Sequence, residues 1–236
     1  MKIKKILLLG IFSVILTGCG KEPDHNTEIS SDAVTESMEY VVIEKIENAE
    51  EIPVGKLTEE LVRNSAVTDS KYFKYEVVGD GIRITEYVGK EEIVHIPGKI
   101  DGKTVTEIAL YVFANDSIVR GVYLPDTVVV CNDVFTNNSC IEVVICEGLE
   151  EAIHCFANCA NLHTVVFGKN LKKIENYAFY ACPMLKSLNI SSSLNEIIEE
   201  PAGTIFWASD NLTIIGESGS VIESYCKEHG INFQTK

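Results

Sequence analysis

Two cysteines and two histidines fall within ten residues at His154-Cys155-Phe-Ala-Asn-Cys159-Ala-Asn-Leu-His163. That density of thiol and imidazole donors could hold zinc, or pair a thiolate nucleophile with a base. Neither chemistry is supported by a wider motif: no Gly-x-Ser-x-Gly, His-Glu-x-x-His or phosphate-loop pattern occurs in the chain. What the four side chains do depends on which elements position them.

Those elements are periodic. Phe113, Phe135, Phe156, Phe179 and Phe206 are spaced 22, 21, 23 and 27 residues apart. Six residues after each lies an aliphatic (Val119, Ile141, Leu162, Leu185, Leu212), and nine after lie Val122, Val144, Val165, Leu188 and Ile215. Eleven after come Leu124, Cys146, Phe167 and Ile190, and the last repeat breaks with Glu217. A period of 20–30 residues with fixed apolar offsets predicts a solenoid, because one coil cannot bury its inward face alone. Offsets nine and eleven point the same way from one short strand, so stacked coils should form a parallel sheet with the phenylalanines filling the other side. About five to six coils are expected. Phe113, Phe135, Phe156, Phe179, Phe206, Leu162, Leu185 and Leu188 are the predicted repeat core.

The same phase disperses the Cys/His cluster. Cys155 takes the slot before the Phe, filled elsewhere by Val112, Val134, Ala178 and Ile205, and should be a small core residue. Cys159 shares its slot with Cys182, Asp116, Asn138 and Ser209. His163, seven after the Phe like Arg120, Glu142 and Lys186, should be solvated. Neither metal nor cofactor is expected, and an enzyme or metal site at His154–His163 is the less favoured alternative. Equivalent slots in adjacent coils lie roughly 5 Å apart, so Cys159 and Cys182 are the pair with a geometric case for a disulfide.

Several stretches resemble the BspA-like leucine-rich repeat family. The best is Ile174-Glu-Asn-Tyr-Ala-Phe179-Tyr-Ala-Cys182-Pro-Met-Leu185-Lys-Ser-Leu188-Asn-Ile190, with its Ile, Ala-Phe, Cys and leucine strand. Upstream, Tyr75 to Gly89 looks like the family's N-terminal hairpin, turning at Gly79-Asp-Gly81. The resemblance covers about residues 73–236 and departs from pattern at 147–153 and 199–204. It implies a mainly β, α/β repeat fold: a right-handed leucine-rich-repeat solenoid with an N-terminal β-hairpin cap and a C-terminal helical cap. Ser220-Val-Ile-Glu223 is a capping box, Val221, Ile222 and Tyr225 give a largely apolar face, and Gly230 stands where such a helix ends. Ile231-Asn-Phe233 should cover the last coil.

The N-terminus reads as an address. Lys2, Lys4 and Lys5 precede an apolar run from Ile6 to Leu16, the pattern of a signal peptide too short to span a bilayer. Leu16-Thr-Gly-Cys19 resembles the lipobox of bacterial lipoproteins, which implies cleavage before Cys19 and lipidation of its sulfur. The expected organisation is therefore a signal at 1–18, a lipidated Cys19 with an acidic, flexible tether to residue 72, and a repeat domain at 73–236. Within that domain the hairpin cap takes 73–97, the repeats 98–217 and the C-terminal cap 218–236. A short helix is expected around Thr58 to Arg63. The 236-residue chain carries 20 basic and 35 acidic residues, a formal charge of −15. Losing residues 1–18 removes three lysines and no acid, which leaves −18 and excludes a nucleic-acid binder.

Function is expected on the outer sheet face, at offsets eight and ten. Ile93, His95, Tyr123, Val143, Ile145, Val166 and Asn189 lie there, and apolar side chains on a wet face mark an interaction site. The reading is a non-enzymatic, exported lipoprotein, anchored by lipid at Cys19, that binds a protein or glycan on a host or bacterial surface. The alternative is a membrane-anchored small-ligand receptor serving a transporter.

Overall fold

The structure is a computed structural model that describes residues 52–200 and 205–236. The predicted signal peptide, Cys19 and the first part of the tether lie outside the described residues.

The solenoid makes about seven turns, more than the periodicity suggested, because the coils begin ahead of the first phenylalanine. An N-terminal hairpin pairs β1 (Phe73–Val78) with β2 (Gly81–Tyr87) in antiparallel register. Gly79 takes φ +57° at its turn, a left-handed conformation that a side chain would resist. β5 (Lys103–Ile108) joins β2 in parallel and β4 (Lys99–Ile100) in antiparallel register. The main sheet is parallel and runs β3 (Ile93–His95), β6 (Gly121–Tyr123), β8 (Val143–Cys146) and β10 (Thr164–Phe167). The stack thus already starts within residues 73–97, which the sequence assigns to the cap. Val94, Val122, Val144 and Val165 form one inward column.

A second parallel sheet closes another side of the coils. It contains β7 (Val130–Asn132), β9 (Glu151–Ile153), β11 (Lys173–Glu175) and β13 (Glu196–Ile198). The phenylalanines lie between the sheets as a stacked ladder. Phe113, Phe135, Phe156, Phe179 and Phe206 have successive centroids 5.2–5.6 Å apart and interplanar angles of 7–21°. Tyr87 of the hairpin and Tyr225 of the C-terminal helix close its two ends. The predicted core residues, Leu162, Leu185 and Leu188 among them, are all buried.

The last coil departs from the expected register. β12 (Ser187–Asn189) pairs not with β10 but with β14 (Thr213–Gly216), aligning Leu188 with Ile214. Ile214 lies eight residues after Phe206, not nine, so Ile214 is buried and Ile215 is not. One residue fewer flips every side chain beyond it, which is why the pattern breaks at Glu217. The predicted cap helix forms as α2 (Val221–His229). Ser220 Oγ accepts from Glu223 N, and Gly230 closes the helix at φ +68°. Its buried face is Ile222, Tyr225 and Cys226; Val221 is exposed, contrary to expectation, because it lies to one side of that face at the first residue of the helix. β15 (Asn232–Thr235) then pairs with β14 and covers the edge that an open sheet would present.

Candidate functional site

The main sheet aligns its outward residues as the repeat phase requires. Ile93, Gly121, Val143 and Thr164 make one column; His95, Tyr123, Ile145 and Val166 make the other. Asn189 is not part of this face, since β12 belongs to a different sheet.

The expected exposure of this face is overturned. Val143 and Ile145 are completely buried, and they form with Leu57 and Val62 a second apolar cluster, separate from the ladder core. Ile52, Ile93, Tyr123 and Val166 pack around its rim. The cover is the chain's own segment from Ile52 to Thr68, assigned from sequence to the tether. It contains the expected short helix, α1 (Glu59–Arg63), with Thr58 as its N-cap. The domain therefore starts no later than residue 52, not at 73. The approach is close because β6 carries Gly121 at its face. A Cβ there would meet Val62 Cγ2 at 2.6 Å and Leu57 Cδ2 at 2.8 Å.

Charges fasten this strap. Arg120 donates through Nη1 to the Ile52 carbonyl (2.6 Å) and through Nη2 to the Pro53 carbonyl (2.9 Å). Its Nε donates to Glu142 Oε1 at 2.8 Å, and Nη1 also reaches Glu92. Glu142 accepts in turn from Gly55 N (2.8 Å) and Leu57 N (3.3 Å). Burial pushes the Glu142 carboxyl upward, but Arg120 and the two strap N–H groups outweigh it and hold it below its ordinary value. The hydrogen bond to Glu142, opposed by burial, raises the Arg120 guanidinium above its own. Farther along, Arg63 bonds Glu147 at 2.8 Å, Thr68 N donates to the His95 carbonyl, and His95 N donates to Thr68 Oγ1. Arg120 and Glu142, expected in solvent, are thus buried because the strap lies over them. His163 from the same column is half-buried. Its Nε2 lies 3.5 Å from Glu142 Oε2 without an aligned hydrogen bond, and Nδ1 sits 3.0 Å from Thr164 Oγ1.

The four side chains of the Cys/His cluster diverge, with two corrections: His163 is half-buried and not solvated, and the disulfide is not the expected Cys159–Cys182. Cys155 is disulfide-bonded to Cys131, their Cα atoms 5.7 Å apart, tying two adjacent coils. Cys159 and Cys182 are free. Both are buried and act as hydrogen-bond donors: Cys159 Sγ to the Phe135 carbonyl at 3.2 Å, Cys182 Sγ to the Phe156 carbonyl at 3.1 Å. Asn138 does the same to Phe113, and Ser209 to Phe179. That slot supplies a donor to the carbonyl of the preceding coil's phenylalanine, a need that Asn, Ser and a protonated thiol all meet. Burial keeps the protons in place, pushing Cys182 up to about 12 and Cys159 well above the usual thiol value. Among the described residues no three His, Cys, Asp or Glu side chains converge as a metal-ligand set.

An outward aromatic row escaped the sequence reading. Trp207, 56% exposed, stacks on Tyr180 at 4.8 Å and 13°. Tyr180 meets Tyr177 edge-on at 5.5 Å, and Tyr177 meets His154 at 5.4 Å. The signal for it was in the chain: the residue after each Phe reads Ala114, Thr136, Ala157, Tyr180, Trp207. Tyr177 and His154 stand two before a Phe, where Tyr111, Asp133, His154 and Tyr177 all adopt φ of +47 to +67°. That repeated left-handed residue is where each coil turns toward the ladder.

Periodicity, sheet register and Phe ladder define a repeat protein of the leucine-rich class. The family model for the BspA type leucine rich repeat region matches six copies over residues 95–213, and the chain belongs to that family. It is similar to the crystal structure of a Treponema pallidum leucine-rich repeat protein, with 29% identity and a TM-score of 0.58, over 64% of this chain and 71% of that one. A leucine-rich repeat protein from Bacteroides ovatus aligns at 20% identity and a TM-score of 0.50, over 64% of this chain and 46% of the other. A comparison with curated proteins finds no match.

Proposed function

We propose that this protein is a non-enzymatic interaction module, exported and held at the membrane by lipid on Cys19, whose solenoid presents a surface to a protein or glycan partner. The Cys19 assignment rests on the signal-like N-terminus and its lipobox. Membership of a repeat family typically used for binding supports the coarser reading. One observation carries the site: the row from His154 to Trp207 holds aromatic side chains outside the core, where the fold does not need them. Aromatic residues combine large contact area with low conformational entropy and anchor many interfaces. The sheet face expected to bind a partner already has one in the strap, so the contact surface is reassigned to the row.

Two measurements test this reading. Metabolic labelling with palmitate should mark the wild-type chain and not Cys19→Ala. The detergent-solubilised chain should capture a partner from host or bacterial surface fractions, and the double variant Tyr180→Ala/Trp207→Ala should lose most of that capture at unchanged melting temperature. Capture unaffected by the double variant overturns the assignment of the row.

A further inference from the structure

Aromatic rings occupy the position after the Phe in two successive coils and then stop. Trp207 and Tyr180 stack on each other, while the preceding coil has Ala157 and the one before it Thr136. The outward stack is therefore missing a rung. Neighbouring rungs of the buried ladder lie 5.2–5.5 Å apart through this region, a repeat that places one ring per coil. The structure holds an open cavity of about 260 Å³ at this place, with Ala157, Tyr177 and Tyr180 among its lining residues.

We propose that this gap binds one sugar ring of a neutral glycan, stacked against Tyr180 in the missing rung. The proposal rests on the interaction-surface reading above and names its ligand class. Three features favour a sugar. A pyranose presents weakly positive C–H bonds to an aromatic face, which carries negative charge. Several polar groups of the lining are already oriented: Thr136 Oγ1 donates to Asp133 Oδ1 at 3.0 Å, and His154 Nδ1 lies 3.7 Å from Asp133 Oδ2. Asn158 Nδ2 donates to Asn137 Oδ1 at 2.9 Å. Asp133 lines the cavity and keeps acceptor capacity, so it can bond sugar hydroxyls. Finally, a peptide aromatic ring would fill the gap but offer no donor to the remaining acceptor capacity of that carboxylate while desolvating it, which costs binding energy. The carboxylate, on a domain of net −10 (15 basic and 25 acidic residues over 52–236), disfavours anionic polymers. The cavity is smaller than the roughly 300–1,000 Å³ of drug-sized pockets, as suits one unit of a longer chain.

The test uses the detergent-solubilised full-length chain and a panel of neutral sugars. The panel contains methyl glycosides of glucose, galactose, mannose and N-acetylglucosamine, with the homopolymer of each. Binding is read by saturation-transfer NMR and by the fluorescence of Trp207, the chain's one tryptophan, which stacks on Tyr180. At least one sugar should bind and perturb Trp207. Ala157→Tyr, which fills the missing rung, should weaken that binding at least tenfold with the melting temperature unchanged or raised. Asp133→Asn should weaken it severalfold. Failure of every sugar in the panel, or full binding by Ala157→Tyr, overturns the proposal. So does displacement of bound sugar by a tryptophan-containing peptide at lower concentration than by free sugar. If the panel fails while Tyr180→Ala/Trp207→Ala still abolishes partner capture, the sugar assignment falls and the surface reading stands.

Discussion

The two apolar clusters of this solenoid are built on different logic. The ladder core is made of like residues stacked on like: each phenylalanine lies on the next, and each carbonyl receives a donor from the following coil. The sheet-face cluster is made once, from Leu57 and Val62 of a non-repeating strap set against Val143 and Ile145. Its alignment depends on Arg120 and Glu142, which hold strap backbone groups and not side chains. A repeated interface shares its stability among neighbouring coils, whereas a one-off interface stands or falls by itself. The strap is therefore expected to open at lower free energy than the coils, as a separate cooperative unit.

The largest effect should come from breaking the ladder. Phe156→Ala removes a fully buried ring from between two stacked neighbours and should cost about 3–5 kcal/mol, read by denaturant titration. A loss below about 1 kcal/mol would mean the coils do not depend on the ladder.

Attacks on the strap should cost less and be confined to it. Ile145→Glu buries a charge under Leu57, yet the penalty is capped because release of the strap lets the new carboxylate reach water. We expect about 2–4 kcal/mol, with hydrogen exchange accelerated over 52–68 and unchanged in the coils. Gly121→Leu should do the same by steric exclusion of Val62. Protection lost equally from strap and coils would remove the distinction between the two clusters.

Acid should sharpen the contrast without mutation. Glu142 has its carboxyl held below the ordinary value of 4.5, so its contribution is complete above that pH and is lost as pH falls through its folded-state value. Arg120 and His163 face it, Glu92 pairs with the same Arg120, and Arg120 keeps its charge throughout. The strap should loosen in acid before the coils do, as proteolysis within 52–68 by an acid-active protease would show. Glu142→Gln should flatten this dependence. An unaltered pH profile in that variant would show that the pair does not fasten the strap.

The smallest effect is expected at the aromatic row. Trp207→Ala removes a half-exposed ring and should change stability by less than about 1 kcal/mol in thermal unfolding. A fall comparable with Phe156→Ala would make Trp207 part of the ladder's support and not a contact residue.

Much of this architecture is written into the spacing. Phe113 to Phe206, the Val122 to Val165 column and the capping box at Ser220 were legible because each is either repeated or local. The outward columns at Ile93, Val143 and Ile145 were also placed on the correct face; only their solvent exposure was misread. The free Cys159 and Cys182, and the bond between Cys131 and Cys155, were not legible. Slot equivalence gives proximity, but the carbonyl waiting for a thiol proton is visible only in three dimensions.

What the chain determined by itself is what short-range rules govern: coil length, strand phase, the caps and the core column. An inward residue in one coil must be inward in the next, and repetition makes that constraint readable. Only the tertiary structure decided what covers the outer sheet face and which outward side chains stay uncovered. Ile52–Thr68 and Arg120–Glu142 meet across 67 to 87 residues with no period to announce them, and their pairing follows from shape and charge complementarity that no spacing encodes.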